Sequence, residues 1–132
     1  WGIEGKKQGG NDDPLRPAVD IGKALEEQKD SPVMEWVSRL GQIHREFKEC
    51  LAEGRYRELF LTNRQYAFAR FTDKKGLLVA VNNDEAEAAV SIPVPFQEKE
   101  YIDLETEETV KVENGRIQIT LKPAGTVLLK IQ

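Results

Sequence analysis

The sequence predicts a mainly β fold: an antiparallel sandwich of eight short strands, preceded by one long α-helix and a glycine-rich leader. Three observations lead there. From Arg55 onward apolar residues alternate with a period of two, as in half-buried strands. The breaks between those runs carry Asn, Asp, Gly and Pro, the residues of tight turns. Residues 31–54 follow helical spacing instead. With 132 residues, 39% hydrophobic and 32% charged, the chain reads as one folded domain, or one domain with an attached element. A chain of this size buries roughly two-thirds of the surface its unfolded form exposes.

The leader, residues 1–30, is rich in Gly and charge, with Pro14 and Pro17 close together. Ala18, Val19, Ile21 and Leu25 suggest a short helical turn, and glycine makes the rest costly to order. Residues 31–54, SPVMEWVSRLGQIHREFKECLAEG, are the clearest helix. Ser31 is a good N-cap, Pro32 suits the first helical position, and Gly54 supplies the stop. Val33, Val37, Leu40, Ile43, Phe47 and Leu51 make one apolar stripe, which calls for a packing partner. Residues 55–132 then read as the strands RYRELFLT, QYAFARFT, GLLVAVN, AAVSIPV, EYIDL, TVKV, RIQITL and TVLLKIQ. ETVKVENGRIQITL is the surest hairpin, because Asn114-Gly115 favours a type I′ turn. Many short strands at this spacing make a sandwich.

Composition narrows the partners. The net charge is −4, with 19 basic and 23 acidic residues interleaved. That predicts no nucleic-acid partner and no anionic-membrane partner, since both need a basic stripe. No apolar run reaches the length of a bilayer span. Cys50, the one cysteine, leaves the compartment open with a lean toward the cytoplasm. It reads as a small buried residue near the helix end. His44 reads as structural, and ETEE as a charged turn rather than a carboxylate pair. Tyr56 and Phe60, like Tyr66 and Phe68, alternate along strand faces. Such residues either fill the sandwich core, the favoured reading, or lie exposed and stack on sugar rings. Asn11-Asp12-Asp13-Pro14 alone fits a solvated turn. It lacks the ligand spacing of a calcium loop, and no metal or cofactor is expected.

The order of elements adds to this. A Gly-rich Asn-Asp-Pro loop, a long amphipathic helix, a glycine and a small sandwich resemble the C-terminal end of glycoside hydrolase family 13, the α-amylase family. WGIEGKKQGGNDDPLRP looks like the loop after the eighth strand of the family's (β/α)8 barrel, an active-site loop within residues 1–30. Residues 31–54 look like the eighth barrel helix. RYRELFLTNRQYAFARFTDKKGLLVAVNNDEAEAAVSIPV is similar to the first strands of the sandwich called domain C. The likeness covers nearly the whole chain.

This resemblance implies a substrate site. The family's N-D-P-x-x-R pattern places an Asp and an Arg against sugar hydroxyls, one supplying acceptors and the other a rigid fork of donors. Asp12 and Arg16 keep that spacing. Proline follows Asp13 rather than Asp12, which leaves Asp13 as the alternative. The resemblance also implies an α-1,4-glucan substrate and a catalytic barrel as partner, in the same polypeptide or a companion chain. Retaining glycosidases need two carboxylates about 5–5.5 Å apart, and the family's motifs for them are absent from this sequence. The chain alone is expected to be inactive.

Overall fold

The computed structural model describes residues 5–7, 9–10, 12–15 and 18–132. The chain divides into two compact units, Trp1–Glu46 and Phe47–Gln132.

The first unit holds a 3-10 turn (Asp13–Leu15), α1 (Ile21–Gln28) and α2 (Pro32–Glu46). α1 runs eight residues where the sequence suggests only a turn. Local capping explains the difference: Asp20 has extended backbone, and its Oδ1 accepts from the Lys23 amide at 3.0 Å, satisfying one of the helix's orphan N–H groups. Exposed pairs Lys23–Glu27 and Lys29–Glu26 add a few tenths of a kcal/mol each, roughly. α2 begins where Pro32 and Ser31 predict, with the Ser31 carbonyl accepting from Glu35 at 3.1 Å. It ends earlier than expected. Phe47 leaves the helical region (φ −100°, ψ 17°), and α3 (Lys48–Ala52) is a separate short helix in the second unit. The predicted single helix over 31–54 is therefore broken. Gly54 stops α3, its amide bonded to the carbonyls of Cys50 and Glu49.

The second unit is the antiparallel sandwich. Its strands are β1 (Arg55–Leu61), β2 (Gln65–Phe71), β3 (Gly76–Asn82), β4 (Ala88–Pro93), β5 (Tyr101–Asp103), β6 (Thr109–Val110), β7 (Val112–Glu113), β8 (Arg116–Leu121) and β9 (Thr126–Ile131). One sheet has the order β1-β2-β3-β9-β5-β6, the other β4-β8-β7. The predicted strand TVKV is two strands. β6 pairs with β5 in the larger sheet and β7 with β8 in the smaller, so the segment changes sheets at Lys111. Val110 and Val112 both pack on the core while Lys111 is exposed, so the period of two survives the crossing. Asn114 (φ 52°) and Gly115 (φ 73°) both have the left-handed backbone expected for the Asn-Gly turn.

Ala67, Ala69, Leu78, Ala80, Leu129 and Ile131 of the larger sheet face Ile92, Ile117 and Leu121 of the smaller in one core. Tyr101 is fully buried among them. Its hydroxyl donates to the Phe96 carbonyl at 3.0 Å and accepts from the Phe96 amide at 3.3 Å, pinning the loop before β5. Burial pushes Tyr101 up to about 12, against the Phe96 hydrogen bond, which acts the other way. Asn82 is the buried polar residue of this sheet. Its Nδ2 donates to the carbonyls of Ala86 (2.8 Å) and Lys122 (3.0 Å), and its Oδ1 accepts from Gln65 Nε2 and the Asp84 amide.

Candidate functional site

The leader loop closes on itself. A Cβ on Gly5 would lie 2.8 Å from the Pro14 carbonyl oxygen and 2.9 Å from Leu15 Cα, so only glycine permits that approach. Asp12 follows at the head of the 3-10 turn, its carbonyl accepting from the Leu15 amide at 3.0 Å. The Asp12 carboxylate is exposed and lies 3.8 Å from Lys7 Nζ. Asp13, also exposed, opens the turn. Arg16, like Asn11 and Pro17, lies outside the described residues, so the expected Asp12–Arg16 pairing has no geometry to report. A shallow hollow beside α1 is lined by Val19, Lys23, Ala24 and Glu27, and neither aspartate borders it. Among the described residues no cluster of His, Cys, Asp and Glu could hold a metal ion, and no helix is long and apolar enough to cross a membrane.

The other residues singled out by sequence fall as follows. His44 is exposed in the last turn of α2. Cys50 is buried, its thiol donating to the Lys75 carbonyl at 3.3 Å. Glu105 and Glu107 belong to a turn whose amides at Glu105 and Thr106 are capped by Asp103 Oδ1.

The aromatics overturn an expectation. Ala67, Ala69 and Phe71 of β2 face the core, so Tyr66 and Phe68 lie on the opposite, outer face of the larger sheet. Tyr56 pairs with Arg70 on that same face and is 52% exposed. Phe60 does pack on the core. A β-bulge between Glu58 and Phe60 shifts the register and puts Tyr56 and Phe60 on opposite faces, which simple alternation does not foresee. The three outer rings form a row: Tyr56 to Phe68 is 5.8 Å and Phe68 to Tyr66 is 5.6 Å between centroids, tilted by 34° and 32°. The Tyr56 and Tyr66 hydroxyls are hydrogen-bonded. That bond pushes Tyr66 up to about 12, with desolvation and the charge of Glu58 acting the same way. Sequence reasoning missed this face, although one signal was present: β3 reads GLLVAV, apolar at consecutive positions, as strands covered on both sides do.

A two-sheet antiparallel sandwich led in by a short helix is the fold of domains found within much larger carbohydrate-active enzymes. AmyP in complex with maltose matches with a TM-score of 0.67 and 21% identity, over 80% of this chain and 21% of that one. The α-amylase from Geobacillus thermoleovorans complexed with acarbose matches at 0.66 and 16%, over 76% and 23%. A cyclomaltodextrinase matches at 0.56 and 22%, over 71% and 16%. The chain thus spans about a fifth of the length of these proteins. No curated protein matches it. Residues 56–128, more than half of the chain, match the family described as maltogenic amylase, C-terminal domain, and the chain belongs to that family.

Proposed function

We propose that this chain is the C-terminal part of a retaining glycoside hydrolase acting on α-1,4-glucans such as starch or maltodextrins. The family match over residues 56–128 carries the reading, supported by the loop, helix and sandwich in the order that precedes and forms domain C. In this reading residues 1–30 contribute the loop after the last barrel strand, and α2, the larger part of residues 31–54, its last helix. Asp12 and Arg16 hydrogen-bond one glucosyl unit, with Asp13 as the alternative to Asp12. A carboxylate accepts from sugar hydroxyls while a guanidinium donates in a fixed fork. The nucleophile and the general acid lie in the polypeptide outside this chain, and the reaction runs through a covalent glycosyl intermediate.

Two measurements test this. The 132-residue chain should leave maltoheptaose intact, whereas the longer polypeptide should cleave it. In that longer polypeptide Arg16→Ala should lower kcat/KM by roughly ten- to a hundredfold, the cost of losing charged hydrogen bonds. Asp13→Ala should cost less, and near-unchanged kinetics for both variants would show that the loop makes no subsite. A second reading, a non-catalytic carbohydrate-binding module, draws on the outer-face row of exposed Tyr56 and half-buried Phe68 and Tyr66, since flat aromatic faces can stack on sugar rings.

A further inference from the structure

The carboxamide carbon of an asparagine is open to attack by the backbone nitrogen of the next residue, and the sandwich treats these nitrogens unequally. At Asn63 the next amide, that of Arg64, donates to Thr62 Oγ1 at 3.2 Å. At Asn82 the Asn83 amide donates to the Arg64 carbonyl at 2.7 Å, and at Asn83 the Asp84 amide donates to Asn82 Oδ1 at 3.2 Å. Each bond holds the proton that attack must remove and fixes where the nitrogen points. Gly115 differs. It is the second residue of a two-residue turn between paired Glu113 and Arg116, so its amide lies outside the ladder and has no partner among the described residues. Asn114 is exposed, and among the described residues nothing hydrogen-bonds its carboxamide, whereas that of Asn82 is held on both sides. Gly115 also brings no side chain to obstruct the approach.

We propose that Asn114 is a site of spontaneous deamidation and isomerisation in the folded chain, and that the isomer frees Val94 from the turn. The co-reactant is water. A base in solvent takes the Gly115 amide proton, and the nitrogen attacks Asn114 Cγ. The new N–Cγ bond closes a succinimide ring, while ammonia leaves with the electron pair of the old C–N bond and a proton from water. Water then adds to either ring carbonyl and breaks its bond to nitrogen, which regains a proton. Opening at Cγ gives ordinary aspartate. Opening at the main-chain carbonyl gives isoaspartate, in which the backbone runs through the former side chain. Nothing is oxidised or reduced.

Folding does not shut this chemistry off, because the turn opens without the sandwich. β7 has two residues and lies at the edge of the smaller sheet, where fraying costs almost nothing. The turn's other anchor is the Gly115 carbonyl, which accepts from the Val94 amide at 3.0 Å. Isoaspartate adds one atom to the backbone of a turn whose length sets the register of its hairpin. The Gly115 carbonyl then moves off the Val94 amide.

Peptide mapping by mass spectrometry tests this on the 132-residue chain, aged at mildly alkaline pH well below its Tm. The readout is the mass gain of an amide turned to an acid, and a synthetic peptide of residues 110–119 is the unstructured reference. Asn114 should convert ahead of Asn63 and Asn83 by about tenfold, the factor one hydrogen bond is worth. It should convert no more than about tenfold slower than in the peptide, as a frayed edge allows. Protection of about a thousandfold or more, the size of global unfolding, would overturn the proposal, and so would earlier conversion of Asn63 or Asn83. Asn114→Gln should remove the mass gain from this segment; a gain that persists would place the chemistry elsewhere and overturn it too. Amide hydrogen exchange reads the second half of the proposal. Asn114→Asp mimics the ordinary product and should leave Val94 protected, whereas in aged, isoaspartyl chain Val94 should exchange about tenfold or more faster. Equal Val94 exchange in fresh and isoaspartyl chain would refute the release of Val94.

Discussion

Asn82→Ala is the single substitution expected to cost the sandwich most for the fewest atoms removed. Asn82 is 3% exposed, at the end of β3 where the 83–87 and 122–125 turns converge. Its amide makes four hydrogen bonds, to the Ala86 and Lys122 carbonyls and from Gln65 Nε2 and the Asp84 amide, at 2.8–3.2 Å. Each is worth about 1 kcal/mol net, and groups left buried without partners cost about 1–3 kcal/mol more. Water reaches part of this site once the side chain is gone, so the loss should be about 2–4 kcal/mol. In a domain of this size that is a drop in Tm of roughly 10–25 °C. Asn82→Asp should be at least as damaging. It keeps the acceptor toward Gln65 but has no N–H for the two carbonyls and sets a negative charge beside them. Thermal unfolding of the 132-residue chain by circular dichroism measures both variants. A Tm within about 3 °C of the parent for Asn82→Ala, a loss well under 1 kcal/mol on the same scale, would refute the reasoning. It would show that the two turns hold each other without the side chain.

Two further outcomes follow from the same sandwich. Tyr101 is held protonated, with a folded value of about 12 against the ordinary 10, so its contribution is complete below pH 10 and is lost as pH rises toward 12. Unfolding free energy should fall by about 1 kcal/mol per pH unit across that window, and Tyr101→Phe should remove this part of the slope in alkaline urea titrations. At Gly54 an added Cβ would meet the Cys50 carbonyl oxygen at 2.3 Å. Gly54→Ala should therefore destabilise by about 1–3 kcal/mol, and unfolding midpoints that match the parent would show that α3 shifts to make room.

Much of the architecture was legible because it is written in short-range patterns. Alternation located the runs that became strands, Asn114-Gly115 fixed a hairpin, and Pro32 with Ser31 set the start of α2. What was not legible depends on partners far away in sequence. Nothing local marks Phe47 as a break: it continues the helical stripe, and its reason for leaving the helix is its seat in the second unit, where it is 1% exposed with Lys75 over its ring. Likewise TVKV reads as one strand, since both its halves alternate correctly, and only the pairing of Val110 with Tyr101 and Val112 with Ile117 divides it. The bulge after Glu58 put Tyr56 and Phe60 on opposite faces, while Ala67, Ala69 and Phe71 took the core side of β2 and left Tyr66 and Phe68 outside. For the candidate subsite, the spacing of Asp12 and Arg16 was readable, but spacing alone carries no geometry. Asp12 sits in a loop closed by Gly5 and Lys7, contacts that no periodicity encodes.

The change of sheet at Lys111 makes the sandwich asymmetric along its two sides. On one side β6 and β7 are consecutive pieces of the same segment, one residue apart, so the two layers are stitched there like pages at a spine. On the other side β1 and β4 are the outermost strands; the chain links them only through β2 and β3, and they meet by side-chain packing in the shared core. Exposed strand edges invite pairing with other chains, and β1, the longest of the edge strands, offers the most unpaired backbone. Arg55, Arg57 and Glu58 stand along β1, with Arg55 paired to Asp73, and such charges discourage a foreign strand. The two layers are thus held by the chain itself at Lys111 and by core packing alone at β1 and β4.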